Sequence, residues 1–262
     1  MEVKRPGDNR FIKALIFGPP GQGKTYLLGT AQEDERTAPM LLLDFEGGDE
    51  TLAGLDIDVA PIRSWDDYSE VFEALASGEH WTLEGTSLAE GELYKSIGID
   101  SISETHTWAL LEILDHATAT NSRRDDPDSL EIQDYGKATI QMRRLLREFR
   151  DLPLHVFYTA TAKTVDERGI GKVKVPAMSG AMAEEVVGLM SIAGYLALVE
   201  EDDEISRELI LQNFPRFRTK IRVPWEQSAP DTIEDPTVTA LLDALDIPAP
   251  TKKRRRSTKK ED

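Results

Sequence analysis

Residues 18–25 read GPPGQGKT, a loop opened by glycine and closed by glycine, lysine and threonine. The stretch matches G-x-x-x-x-G-K-[ST] in full, and no other feature constrains the fold as tightly. Such a loop functions only between a strand and a helix. Its glycines let backbone N–H groups turn inward, and the following helix adds its positive dipole end. The flanks agree: "FIKALIFG" (11–18) is a β-branched and aromatic run ending in glycine, and "KTYLLGTAQE" reads as a helix starting inside the loop. The prediction is a phosphate cradle in an α/β sheet. A chance glycine-rich turn is the alternative, and the context argues against it.

Strands and helices alternate beyond the loop. "APMLLLDFEGG" (38–48) is a second apolar strand, and residues 64–78 form a helix with a serine cap and a terminal glycine. A third strand spans 94–103 and an apolar helix 104–119. After a polar loop (120–129) come a long helix (130–152), a fourth strand (153–163) and a hairpin (164–176) around Gly169 and Gly171. "SIAGYLALVE", "RELILQNF" and "FRTKIRV" read as further strands, and 236–247 as a final helix. This pattern predicts an α/β fold with a mostly parallel central sheet, flanking helices and antiparallel edge strands. The expected organisation is a short segment over 1–10, one domain over 11–247 and a basic disordered tail over 248–262.

Composition narrows the partners. Of 262 residues, 40% are hydrophobic and 30% charged, as expected of a soluble globular protein. No apolar run approaches the roughly 18 residues of a membrane span, and "MEVKRPGDNR" lacks the apolar region of a signal peptide. Cysteine is absent, so there is no disulfide framework and no thiolate metal site. A cytoplasmic protein without a membrane partner is expected. Net charge is −17, yet the last twelve residues, "TKKRRRSTKKED", carry seven Lys/Arg and two acids. An acidic body cannot coat DNA indiscriminately, so nucleic-acid contact needs local basic patches or that tail. The tail also reads as a plain solubility segment.

The loop implies ATP and Mg²⁺ as cofactors. Gly18, Pro19, Pro20, Gly21, Gln22 and Gly23 would cradle the phosphates, with Tyr26 just beyond. Lys24 would reach the β- and γ-phosphates, and Thr25 would ligate Mg²⁺. A second Mg²⁺-side carboxylate is needed at a strand end. Asp100 in "SIGIDS" supplies it, and Asp44 in "LLLDFEGG" is the rival. Glu46, at the end of the second strand, is the candidate general base for the attacking water. Its competing reading is a solvated strand cap. The four histidines, at 80, 106, 116 and 155, lack metal-ligand spacing.

The phosphate loop, "LLLDFEGG", "IGIDS" and "HVFYTATAK" in this order resemble the RecA-like ATPase core. Within it, "DYGKATIQMRRLLREFRDLPLHVFYTA" is most similar to the compact phage ATPases of the Sak type, single-strand annealing relatives of RecA. The likeness covers about residues 11–225. It implies Lys24 and Thr25 as the phosphate-loop pair, Asp100 on the Mg²⁺ side and Glu46 as the catalytic glutamate. It further implies a DNA-stimulated ATPase of phage-type recombination or replication, in the host cytoplasm. Such a protein binds single-stranded DNA as a ring or filament, with ATP between subunits, and works beside a single-strand binding protein. Two departures stand out. The residue after Asp100 is Ser101, where large AAA-type motors carry their glutamate. The fourth strand ends Thr159-Ala-Thr161, where RecA relatives carry a glutamine that senses the γ-phosphate, so a hydroxyl such as that of Thr159 would serve.

Arg216, Arg218, Lys220 and Arg222 alternate, which places them on one face if the segment is a strand. The resemblance implies that Lys220 and Arg222 reach a neighbouring subunit's nucleotide, as an arginine finger does. A charge-protected strand edge or a DNA contact are the alternatives. Arg168, Lys172 and Lys174 on the hairpin sit where RecA relatives carry a mobile DNA-binding loop; a bland surface hairpin is the competing reading. A nucleotide-switched DNA-binding or loading protein with little hydrolysis, and a ring helicase or motor, remain the alternative functions.

Overall fold

The computed structural model describes residues 11–79, 85–120, 129–201, 204–212, 214–222 and 228–248. The expected segment over 1–10, the expected tail apart from residue 248, nearly all of the polar loop and His80 lie outside them. A central sheet runs in the order β10-β8-β7-β1-β5-β4-β2-β3. Its parallel heart comprises β1 (Lys13–Gly18), β2 (Met40–Asp44), β3 (Asp58–Pro61), β4 (Ser96–Asp100), β5 (His155–Glu167) and β7 (Ile192–Glu201). Strands β8 (Glu204–Ile210), β9 (Lys220–Ile221) and β10 (Thr232–Glu234) add antiparallel pairs at one side. β6 (Gly171–Pro176) pairs antiparallel with the far half of β5.

Strand residues alternate between two cores, as the pleat requires. On one face Leu15, Phe17, Leu43, Ile99 and Tyr158 pack with α2 (Trp65–Ser77), α4 (Ile132–Asp151) and α5 (Met182–Leu189). On the other, Ala14, Ile16, Leu42 and Phe157 pack with α1 (Lys24–Gly29) and α6 (Val238–Asp243). α3 (Ile102–Thr120) starts at the tip of β4 and packs Ala109 and Ile113 beside Ala138 of α4. Helices therefore cover both faces, and all the parallel strands deliver their C-terminal ends to one rim.

The expected α/β architecture with antiparallel edges is what the structure shows. The helix expected over 64–78 is α2, capped where Ser64 accepts from the Asp67 N–H and stopped at Gly78 with φ +67°. Three elements lay outside the sequence reading: the edge strands β3 and β10 and the short helix α5. One expectation is corrected. "FRTKIRV" is not a strand of alternating cations, because only Lys220–Ile221 pair with β7. The preceding residues instead follow the hairpin, where the Arg216 carbonyl accepts from the Lys174 N–H at 2.7 Å.

Phe149 of α4 is fully buried and meets Tyr68 and Phe72 edge-on at 5.6 Å. Phe149→Ala should therefore cost about 3–5 kcal/mol of unfolding free energy in urea titrations. A loss below about 1 kcal/mol would contradict this packing.

Candidate functional site

β1 ends against the backbone of β7, so closely that a Cβ on Gly18 would lie 2.5 Å from the Leu196 carbonyl oxygen. Only glycine allows the chain to leave the sheet there and enter the loop. Gly23 closes the loop at φ +88° and caps α1. The Lys24 ammonium donates to the Pro19 carbonyl at 2.9 Å, inside the loop's curve. Partial burial pushes its pKa down, while Asp100 and Glu46 hold it up. Tyr26 points outward and is half exposed.

Asp100 is the hub. It is buried at the tip of β4, and its Oδ2 accepts from the Thr25 hydroxyl at 2.6 Å. Its Oδ1 accepts from the hydroxyl of Thr159, itself buried on β5. Thr25 and Asp100 are thus held side by side, one hydroxyl and one carboxylate, the hard oxygen donors that Mg²⁺ prefers. Thr159 is committed to Asp100, so any γ-phosphate sensing through it runs by way of that carboxylate.

Asp44 is the direct register partner of Asp100 in the neighbouring strand. Its side-chain hydrogen bonds run to the turn that follows it, whereas Thr25 bonds to Asp100. Its Oδ1 accepts backbone N–H bonds from Glu46, Gly47 and Gly48 at 2.8–3.2 Å, and Arg63 donates to its carbonyl oxygen at 2.9 Å. Asp44 therefore shapes the loop that presents Glu46. Glu46 is an exposed residue, and its Oε1 accepts from the Ser101 hydroxyl. Desolvation pushes the carboxyl above the usual range; the Ser101 bond opposes this, Asp100 adds to it, and Lys24 opposes it. A carboxylate poised in this way suits general-base work. The position that lacks a glutamate, Ser101, instead fixes the glutamate supplied by another strand.

The remaining predicted residues lie apart. The Lys220 ammonium donates to the carbonyls of Val187 and Gly188 at 3.1 and 2.6 Å, at the end of α5. β9 pairs with the first residues of β7, and the Arg222 N–H donates to the Ser191 carbonyl at 2.9 Å. The Lys220 ammonium is thus engaged at the end of α5 rather than at this chain's own phosphate loop. Arg218 is paired with Glu167 and Glu184. Arg168 and Lys172 are exposed at the hairpin end, whereas Lys174 lies lower and donates to the Thr164 hydroxyl at 2.9 Å. Among the described residues, no group of three or more histidines and carboxylates could hold a metal, and no helix is long and apolar enough to cross a membrane.

Sequence reasoning missed Arg207 on β8. Its Nε donates to the Gln22 carbonyl at 3.2 Å, and the same atom lies 3.0 Å from where a Cβ on Gly23 would stand. No local motif marks it, because the two residues are 185 positions apart.

The strand order, the phosphate loop and the carboxylate beside Thr25 define the class: a P-loop ATPase with a RecA-like core. A family model described as "AAA domain" matches residues 10–223, and the chain belongs to that family. The family implies nucleotide binding, typically with Mg²⁺, and the donor set of Thr25 and Asp100 fits that ion. No curated protein matches the chain. Among solved structures it is similar to a KaiC-like protein from the hyperthermophilic archaeon Pyrococcus horikoshii OT3, with 14% identity over 86% of this chain and 89% of the other and a TM-score of 0.43. The flagellar accessory protein FlaH from Methanocaldococcus jannaschii shows 10% identity over 85% and 84%, with a TM-score of 0.39. These scores are too low to bear on the fold, which rests on the strand order and the family.

Asp44→Ala should free the Glu46 loop while leaving the phosphate loop intact. ATP turnover is expected to fall about a hundredfold with ATP affinity kept. Unchanged turnover would show that Asp44 does not position Glu46.

Proposed function

We propose that this chain is a RecA-like ATPase of phage-type DNA recombination or replication, which binds single-stranded DNA and promotes annealing or strand pairing. One observation carries the reading. Thr159, bonded to Asp100, lies on the strand that leaves the sheet two residues later as the β5–β6 hairpin, with Arg168 and Lys172 at its exposed end. The nucleotide hub and the basic hairpin share one stretch of backbone, and on this reading that strand is the route by which nucleotide and DNA states communicate.

In hydrolysis, Glu46 takes a proton from the water whose oxygen bonds to the γ-phosphorus. The bond from that phosphorus to the β,γ-bridging oxygen breaks, its electron pair leaves with ADP, and inorganic phosphate is the other product. Lys24 holds the phosphate oxygens. Mg²⁺, held by Thr25 and Asp100, would neutralise charge on the β- and γ-phosphates. Lys220 and Arg222 face a neighbouring copy in a ring or filament, where they complete its site from outside. Single-stranded DNA lies along the hairpin by its phosphates, since no aromatic residue there offers a stacking platform. A single-strand binding protein is the expected companion.

A second reading has its own observation. Because Glu46 is held by Ser101, the nucleotide can serve as a switch for DNA binding with little turnover. ATP hydrolysis with and without single-stranded DNA, at low and moderate salt, separates the two. The first reading expects stimulation by DNA and a loss of about two orders of magnitude or more in Glu46→Gln. Hydrolysis indifferent to DNA would overturn it, and ATP-dependent DNA binding without hydrolysis would establish the switch.

The raised pKa of Glu46 adds a pH test. The base must be ionised, so activity should decline with falling pH already above the ordinary glutamate range of about 4.3. An acid limb at or below that range would place the general base elsewhere.

A further inference from the structure

Arg207 sits against the phosphate loop with most of its guanidinium unused. Only Nε is engaged, by the Gln22 carbonyl at 3.2 Å. Among the described residues, Nη1 and Nη2 have no hydrogen-bond partner and no carboxylate pairs with them. That is unusual in a chain of net charge −17, where the other arginines near a carboxylate find one: Arg36 with Asp34, Arg143 with Glu185, Arg218 with Glu167. The side chain is exposed, yet its backbone is fixed. Arg207 pairs with Leu198 across the β7–β8 ladder, and its carbonyl accepts from the Asp235 N–H at 2.7 Å. The strand thus delivers a planar cation with four N–H donors unused to the rim of a phosphate cradle. Gly23 makes room for it, since a side chain there would meet Nε and Cδ.

The strand order says which part of the nucleotide lies within reach. β1, which feeds the loop, stands between β7 and β5. Asp100, Thr159 and Glu46 approach from the β5-β4-β2 side, where the metal and the attacking water belong. Arg207 approaches from the opposite flank, by way of β8 and β7. We infer that Arg207 is a nucleotide-binding residue which contacts the portion common to a nucleoside di- and triphosphate, on the flank remote from Glu46. This rests on the phosphate-loop reading and adds a ligand contact to it. A guanidinium held there supplies charge-assisted bonds to phosphate oxygens in either nucleotide, so it sets affinity for both and does not take part in cleavage.

The test is the affinity of the full chain for ATP and for ADP, by calorimetry, in Arg207→Ala, Arg207→Gln and Lys24→Ala beside the unaltered chain. Loss of a charge-assisted contact should weaken ATP and ADP by similar factors, roughly tenfold to a hundredfold, in both Arg207 variants. The thermal midpoint without nucleotide should not move, because the side chain is exposed and its one bond is to a surface loop. Two results would overturn the assignment while leaving the phosphate loop standing. One is affinity unchanged in both Arg207 variants while Lys24→Ala loses binding. The other is a loss confined to ATP, which would put Arg207 on the γ-phosphate. Failure of the unaltered chain to bind either nucleotide would instead sink the phosphate-loop reading, and this inference with it.

Discussion

One carboxylate organises this molecule. Asp100 ends a buried strand with its two oxygens committed to hydroxyls from two other elements, Thr25 of α1 and Thr159 of β5. A buried carboxylate is costly unless its oxygens are satisfied, so the two threonines and the aspartate specify one another. The consequence is geometric: α1 and with it the phosphate loop, β4, and the strand leading into the hairpin are locked in register at the sheet's C-terminal rim. Open parallel sheets place ligands at that rim, and the candidate site gathers there around a single shared side chain.

The adjoining strand repeats the device for another purpose. Asp44, in register with Asp100, spends one oxygen on three backbone N–H groups of the turn that follows. The turn then carries Glu46 back toward Ser101, the first residue after Asp100. Neighbouring aspartates on adjacent strands thus divide the labour, one beside the phosphate loop and one shaping the loop of the candidate base. Glu46 gains a raised pKa from partial burial beside Asp100, tempered by the Ser101 hydroxyl and the Lys24 ammonium. Burial and neighbouring charge thus shift both the Glu46 carboxyl and the Lys24 ammonium at this rim.

Much of this was legible in the sequence, for reasons of range. The phosphate loop declares itself because its conformation is local, set by glycines and a lysine within eight residues. The capped helix α2 and the buried strands follow from patterns of equally short range. The sequence reading chose Asp100 over its rival Asp44 although both end apolar runs; what separates them physically is which one faces Thr25, a matter of register that the structure displays. The "RFRTKIR" stripe misled because alternation implies a shared face only in a strand, and only Lys220–Ile221 form one here, while Arg216 to Arg218 run along the hairpin. Short edge strands such as β3 carry too few residues to show a period. Arg207 was invisible because its contact with Gln22 exists only once β8 and β7 have assembled beside β1.

The claim that Asp100 joins Thr25 on the metal side of the site is best tested by the Mg²⁺ dependence of ATP affinity in the unaltered chain and in Asp100→Asn. Asparagine keeps the shape and one acceptor but removes the charge. The account predicts that Mg²⁺ tightens ATP binding in the unaltered chain by about tenfold or more, and that Asp100→Asn loses most of that gain while still binding ATP without metal. An equal Mg²⁺ gain in both proteins would contradict it, and would move the metal's carboxylate to another residue.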